Sequence, residues 1–490
     1  MIIPSYSFVF IFLPVVIIGY FLLNSKVSYM AGKILLMAAS LGFYYSMGWK
    51  GFVVLIASIL VCYGIAEYGF KSSRSMVVRR SLLVIGIIAN VGLLMYCKYL
   101  GYFESLINTY TGSGLTFSSF VVPVGISYFT FSQISFLVDS YRDNDTKYSL
   151  LDYILYVTFF PKITVGPIAY AGEMISQFND VSRKSPDYTN LSKGFIRFTL
   201  GLSKKLIIAD NIGAFVDLCY LNISALGTTN AALAILGYTL QIYFDFSGYC
   251  DLAIGICQML NLDLVDNFDA PYRAVSIADF WKRWHISLTR FFRNYLYIPL
   301  GGNRKGKIRT YINTMIIFLV SGLWHGAATT FVIWGAIHGI GSIVSKIIAP
   351  VMSKIPKIIR WMLTFIFVNL TWVFFRSPDI TTAIEIFKQL FSGRFIPVDI
   401  NIIAASVPTE GQLLQWIVLN YAPAYTYYSG CAVMIGLMLI GLLLCTIGKT
   451  AAEQVKDFSA TRGRILLTVV LFTWSILSLS QVTEFIYVNF

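Results

Sequence analysis

Tyr428-Ser-Gly-Cys-Ala-Val-Met-Ile-Gly-Leu-Met-Leu-Ile-Gly-Leu-Leu-Leu-Cys-Thr-Ile447 carries no charged side chain from end to end. A helix needs ~20 mostly apolar residues to cross the hydrocarbon core of a bilayer. Only a helix or a closed barrel satisfies its backbone there. Similar runs occupy Phe8–Leu23, Phe52–Tyr68, Ser81–Tyr96, Phe117–Val138, Ala231–Gln258, Tyr311–Leu323, Phe331–Ile348, Trp361–Phe375 and Ile465–Leu479. Weaker ones lie at Ile34–Met47, Leu151–Ala169 and Phe195–Phe215. The expectation is an all-α polytopic membrane protein of roughly 10–13 membrane segments, the shorter ones broken or re-entrant. Composition agrees: 57% of the 490 residues are hydrophobic and 12% charged, against about 25% charged in soluble domains. Mean hydropathy is +0.70.

Charge placement sets an orientation. Phe8–Leu23 has no basic segment before it, so it reads as a first membrane helix rather than a cleaved signal. Lys26 and Lys33 follow it, which puts the N-terminus outside by the positive-inside rule. Lys71, Arg74, Arg79 and Arg80 then fall on the cytoplasmic side, as does Asn303-Arg-Lys-Gly-Lys-Ile-Arg309. Between Asp145 and Lys204 the crossing parity breaks, as short or re-entrant segments would make it do. The net charge of +13 has two readings: basic loops facing anionic lipid, or attraction of a polyanionic cytosolic substrate. No nucleic-acid partner is expected. The seven cysteines form no C-x-x-C pair and lie mostly in apolar runs, so they read as small core residues rather than ligands or disulfides.

No repeat or linker divides the chain, which reads as a single membrane domain, 1–490. N-terminal helices fill 1–240, a distinct centre runs 241–340, and C-terminal helices fill 341–490. A loop-like region, Phe395–Tyr427, contains Pro397, Pro408 and Pro423; it is expected outside the membrane, as a partner's dock or a plain connection.

The centre holds every histidine of the chain: His285, His325 and His338. Histidine accepts a proton near neutral pH, and an ionisable residue within a membrane segment is a functional candidate because placing it there is costly. His325 lies in Phe318-Leu-Val-Ser-Gly-Leu-Trp-His-Gly-Ala-Ala328, between Gly322 and Gly326, where backbone or substrate can come close. The bland alternative is a core histidine bonded to a carbonyl. His285 lies in Phe280-Trp-Lys-Arg-Trp-His-Ile-Ser-Leu-Thr-Arg-Phe-Phe-Arg-Asn-Tyr295. At about 100° per residue this reads as one interfacial amphipathic helix. Trp281, Trp284, Leu288, Phe291, Phe292 and Tyr295 share one face, and Lys282, Arg283, Arg290 and Arg293 share the other. His285 falls at the border, either idle or lining the same cavity as His325. His338, if on one continuous helix with His325, falls about 220° away from it and reads as structural. Asp245 and Asp251 stand in apolar context and need partners; Arg283, Arg290 or Arg304 would suit.

No P-loop, H-E-x-x-H or G-x-S-x-G is present, so neither ATP nor metal chemistry is expected. A membrane histidine beside a basic cytoplasmic face suits acyl transfer from a polyphosphorylated donor. The ring takes a proton from an attacking hydroxyl, and Lys and Arg hold phosphates.

Longer stretches are more specific. Val122-Pro-Val-Gly-Ile-Ser-Tyr-Phe-Thr-Phe131, Phe159-Phe-Pro-Lys-Ile-Thr-Val-Gly-Pro-Ile168, Tyr243-Phe-Asp-Phe-Ser-Gly-Tyr249 and Asn267-Phe-Asp-Ala-Pro-Tyr272 lead to the strongest, Phe280 through Arg304. Ser321-Gly-Leu-Trp-His-Gly-Ala-Ala328, Thr371-Trp-Val-Phe-Phe-Arg376 and Phe485-Ile-Tyr-Val-Asn-Phe490 follow. With these, nearly the whole chain resembles the membrane-bound O-acyltransferase superfamily, and within it the bacterial alginate O-acetyltransferase branch, which acetylates exopolysaccharides. The resemblance implies a ring of membrane helices around a funnel. It matches the superfamily's catalytic histidine to His325 and the second histidine to His285. It implies acetyl-CoA as donor, with no metal, and a polysaccharide acceptor outside, reached directly or through a partner acetyltransferase or other polysaccharide machinery in a bacterial plasma membrane. Arg283, Arg290, Arg293, Lys305 and Trp324 are then expected at the CoA site. Teichoic acid D-alanylation proteins are relatives with a carrier-protein donor, so D-alanyl or other acyl transfer is an alternative; a non-catalytic transporter or export subunit is another. The chain departs from the pattern at Asn294, where Asp is expected, at Cys250 for Ser, and at Thr329 for Trp.

Overall fold

The computed structural model describes residues 2–71, 73–116, 122–143, 147–399, 401–403, 416–456, 459–483 and 485–486. All regular structure among these residues is helical. Among the described residues, six helices are long and apolar enough to cross a membrane: Phe8–Lys26, Trp49–Gly69, Met76–Thr111, Thr329–Ile347, Lys357–Arg376 and Pro423–Thr446. The chain is a multi-pass membrane protein. Tyr29–Tyr45 and Arg462–Ser478 are helices of 17 residues each, about 25 Å long at 1.5 Å per residue. The expected run Phe117–Val138 begins outside the described residues, and its helix is Ile126–Arg142. Part of the expected loop Phe395–Tyr427 also lies outside them.

The described residues cluster in two compact units: Met1–Phe198 with Cys250–Asp266 and Ser287–Pro299, and Thr199–Tyr249 with Asn267–Ile286 and Leu300–Phe490. In the first unit, Ser28, Ser75 and Ser149 each start a helix by accepting from a backbone N–H of the first turn, which satisfies one of the donors a helix start leaves open. Lys33 reaches from the helix Tyr29–Tyr45 to Asp152, 2.9 Å away. The stretch Leu151–Ala169 is not one crossing. It is a helix to Thr158 followed by turns, with every residue from Leu155 to Ala169 buried. Non-helical backbone is tolerated at membrane depth only when protein encloses it, and this segment is enclosed.

In the second unit, the helices Gly306–His325 and Thr329–Ile347 form a hairpin, and Thr329–Ile347 packs in turn on Lys357–Arg376. Glycine sets the first contact. A Cβ on Gly322 would strike the Phe331 carbonyl, and one on Gly335 the Phe318 carbonyl; each would also lie 3.4 Å from the other glycine's Cα. Small residues permit this backbone-to-backbone approach, the main source of helix pairing where lipid supplies no hydrophobic drive.

Both units bury ion pairs, and the sequence expectation for their partners is corrected. Asp251 is held by Arg197 at 2.9 Å, and Arg197 also contacts Asp266. Asp245 is held at 2.7 Å by Lys205, which shares itself with Asp210 at 2.8 Å. Neither carboxylate uses Arg283, Arg290 or Arg304 as its ion-pair partner. None of the seven cysteines forms a disulfide among the described residues, and six are buried.

Candidate active site

The continuous amphipathic helix expected around His285 does not form. Two short helices, Ile277–Arg283 and Ile286–Phe292, meet at a break. Trp284 is extended, and His285 has φ +45°, a left-handed conformation that costs a non-glycine residue ~1–3 kcal/mol. Neighbouring backbone holds the break: Ile286 N–H donates to Asn267 O at 3.0 Å, and Asp269 N–H to Arg283 O at 3.0 Å. The aromatic face packs against protein: Trp281, Trp284, Leu288, Phe291 and Phe292 are each at most 9% exposed. Aromatic residues at helical spacing here form core.

The break aims the His285 ring inward. It is fully buried, and neither ring nitrogen has a hydrogen-bond partner among the described residues. Leaving a buried polar group unsatisfied costs ~1–3 kcal/mol. Its ring contacts are Phe246 at 4.7 Å, Trp324 at 6.1 Å and His325 at 6.5 Å between centroids.

His325 is the last residue of its helix, and Gly326 turns away in an extended conformation. The space left by Gly326 is filled by the Phe331 ring. What comes close to the glycines beside His325 is therefore the next helix. The His325 ring sits among Trp324 at 4.9 Å, Phe375 at 5.1 Å and Trp334 at 5.3 Å. Trp324, expected at the CoA site, flanks both imidazoles. Trp334, Phe375 and Phe246 were not singled out. Trp334 could have been, because it precedes His338 by one helical turn.

His338 differs. The chain reverses after His325, so the two lie on paired helices rather than on opposite sides of one, and Trp334 touches both rings. His338 Nδ1 accepts from Trp281 Nε1 at 3.2 Å, and Nε2 lies 3.0 Å from Thr371 Oγ1. The indole is only a donor, so the proton is on Nε2 and points at Thr371, whose hydroxyl donates to Val368 O. This ring is neutral and fully occupied, as a structural histidine is.

The basic side chains are placed less uniformly than expected. Arg283 donates to Asp279 at 2.9 Å and lies 3.4 Å from Asp269. Arg290 makes two bonds to Glu173, at 2.6 and 2.9 Å, and stacks over Tyr170. Both guanidinium groups are therefore already paired. Arg293 and Lys305 are exposed. Arg290 and Arg293 belong to the first unit, Arg283, Lys305 and Trp324 to the second. Asn294 donates to the Tyr170 hydroxyl at 3.2 Å, a neutral bond at the position where a carboxylate was expected.

The profile described as MBOAT, membrane-bound O-acyltransferase family, matches residues 34–377, a stretch that includes all three histidines. The chain belongs to this family. It is an acyltransferase by that membership. It is 39% identical over 413 residues to the peptidoglycan O-acetyltransferase of Helicobacter pylori, covering 78% of each chain. It is 32% identical over 515 aligned positions to the probable alginate O-acetylase AlgI of Azotobacter vinelandii, covering 100% of each. Similarity to the teichoic acid D-alanyltransferase of Bacillus subtilis is 30% over 230 residues, 44% of this chain and 57% of that one.

Proposed function

We propose that this acyltransferase moves acetyl from cytosolic acetyl-CoA to an extracytoplasmic polysaccharide, either directly or through a partner acetyltransferase. The observation that carries the proposal is the pair of buried imidazoles 6.5 Å apart, one of them strained and with both nitrogens uncommitted. His325 takes the proton of the attacking hydroxyl. The new C–O bond forms as the C–S bond of the thioester breaks, and the proton passes on to the departing thiolate. His285, which as a neutral ring offers one donor and one acceptor, hydrogen-bonds the oxyanion that develops at the thioester carbonyl. The aromatic shell of Trp324, Trp334, Phe375 and Phe246 excludes water, which would otherwise hydrolyse the donor. Lys305 is an exposed cation of the second unit and would meet CoA phosphates there, whereas Arg283 shares its charge with Asp279 and Asp269.

O-acetyl transfer is favoured over D-alanyl transfer from a carrier because the relatives named for O-acetylation align over 78–100% of the chain, the D-alanyltransferase over 44%. A transporter reading has no similar support. The test is acetyl-CoA consumption by the purified chain in liposomes. His325→Ala is expected to lower it by about 10²–10⁴-fold; full turnover in a folded His325→Ala protein would remove the assignment.

A further inference from the structure

A small cavity of about 40 Å³ lies in the first unit, between the ends of the helices Trp49–Gly69 and Ile126–Arg142. Its charged residues are Glu67, Asp143, Lys71 and Lys147, and Tyr63, Phe70 and Tyr148 supply aromatic wall. The helix Trp49–Gly69 has 21 residues, about 30 Å of length, and Glu67 stands in its last turn. Lys71, Arg74, Arg79 and Arg80 follow at once, which the positive-inside rule puts in the cytoplasm. The cavity therefore lies at the headgroup level of the cytoplasmic leaflet.

Its charges balance, carboxylates against ammonium groups, so a ligand of one sign alone meets repulsion as well as attraction. They are also ordered in depth. Glu67 is half-buried, while Lys71 and Lys147 are exposed. Glu67 and Lys71 have the spacing of a helical ion pair, but Lys71 lies over the Tyr68 ring at 5.1 Å instead. Glu67 has no ion-pair or hydrogen-bond partner among the described residues. Arg74 is steadied by its Nε bond to Tyr68 O at 2.9 Å and is otherwise exposed. Tyr63 Oη donates to Tyr148 O at 3.2 Å, which closes the wall. A carboxylate set inward of cations suits a zwitterion that enters with its cationic end first.

Size narrows the cation. At ~10–15 Å³ for each water-sized group, the cavity holds about three heavy atoms. That is the –CH2–CH2–NH3+ end of an ethanolamine. A choline end adds N-methyl groups that exceed the space, and a glycerol end carries no cation. Aromatic faces in the wall also attract an ammonium. The surface beside the cavity suits acyl chains: Tyr68, Met76 and Val77 are 61%, 75% and 74% exposed.

We infer that this cavity binds the headgroup of a phospholipid with a primary ammonium, phosphatidylethanolamine being the simplest. Glu67 takes the ammonium, and Lys71, Lys147 and Arg74 take the phosphate. Free phosphoethanolamine has the same chemistry, but the membrane-helix end and its exposed apolar side chains favour the lipid. The inference is independent of the acyl-transfer reading, since none of these residues is assigned to that reaction.

The experiment titrates the full chain in detergent, read by native mass spectrometry. The ligands are phosphatidylethanolamine, phosphatidylcholine and phosphatidylglycerol of identical acyl chains, and soluble phosphoethanolamine. Phosphatidylethanolamine is expected to bind about tenfold or more tightly than the other two lipids, the size of one hydrogen bond to a charged group. Its N-methylated forms should bind progressively more weakly. Glu67→Gln should abolish the preference without weakening phosphatidylglycerol binding. Equal binding of the three lipids overturns the inference. So does a preference for phosphatidylglycerol, the mark of a generic basic surface, or an unaltered preference in folded Glu67→Gln. Phosphoethanolamine binding as tightly as the lipid overturns the choice of occupant. Should Glu67→Gln not fold, the N-methyl series on the parent chain decides: no loss of binding with methylation overturns the inference.

Discussion

His285 and His338 are equally buried, both at 0% exposure, and both stand among aromatic rings. What separates them is their hydrogen bonding. At His338 each nitrogen has a partner, Trp281 on one side and Thr371 on the other, and the ring ties the helix Thr329–Ile347 to the helix Lys357–Arg376. At His285 neither nitrogen has a partner among the described residues, and the backbone is strained. One histidine stabilises the fold; the other is carried at a loss of stability, which is the pattern expected of a group kept for reaction.

That contrast can be broken most directly at His285. His285→Phe keeps a ring against Phe246 and Trp324 and removes the nitrogens. Acetyl transfer should fall about a hundredfold or more, the size of losing an oxyanion donor, while thermal stability in detergent rises by about 1 kcal/mol. A variant that is both less stable and fully active would reverse the assignment of the two residues. His338→Phe should do the opposite: the Trp281 N–H loses its acceptor, stability drops by ~1–3 kcal/mol, and the rate per folded molecule stays within about twofold of the parent. The smallest effect is expected at Thr371→Val, which removes one hydrogen bond from His338 and costs about 1 kcal/mol in a melting measurement, with unchanged kcat.

The sequence made the membrane architecture legible because the hydrocarbon core imposes a length and polarity that any spanning helix must meet. It also made His325 and His285 stand out, since histidines are few and polar groups in apolar runs are costly. It did not disclose the break at Trp284–His285. Helical periodicity continues through a residue whose left-handed φ is set by backbone bonds to Asn267 and Asp269, so the local pattern reads as one helix. The reversal after His325 was legible as the gap between the runs Tyr311–Leu323 and Phe331–Ile348. The partners of Asp245 and Asp251 were missed because Arg197 and Lys205 come from upstream segments, whereas the nearer arginines pair with Asp269, Asp279 and Glu173. Tertiary pairing of that kind leaves no periodic trace.

The touching glycines of the hairpin, Gly322 and Gly335, bear on how the enzyme meets membranes of different thickness. Two helices in backbone contact cannot slide along one another without a carbonyl striking a neighbour. A thinner or thicker bilayer is therefore accommodated by tilting the pair as a unit. His325 keeps its register against Trp334 throughout, so the packing around that ring is insulated from lipid composition.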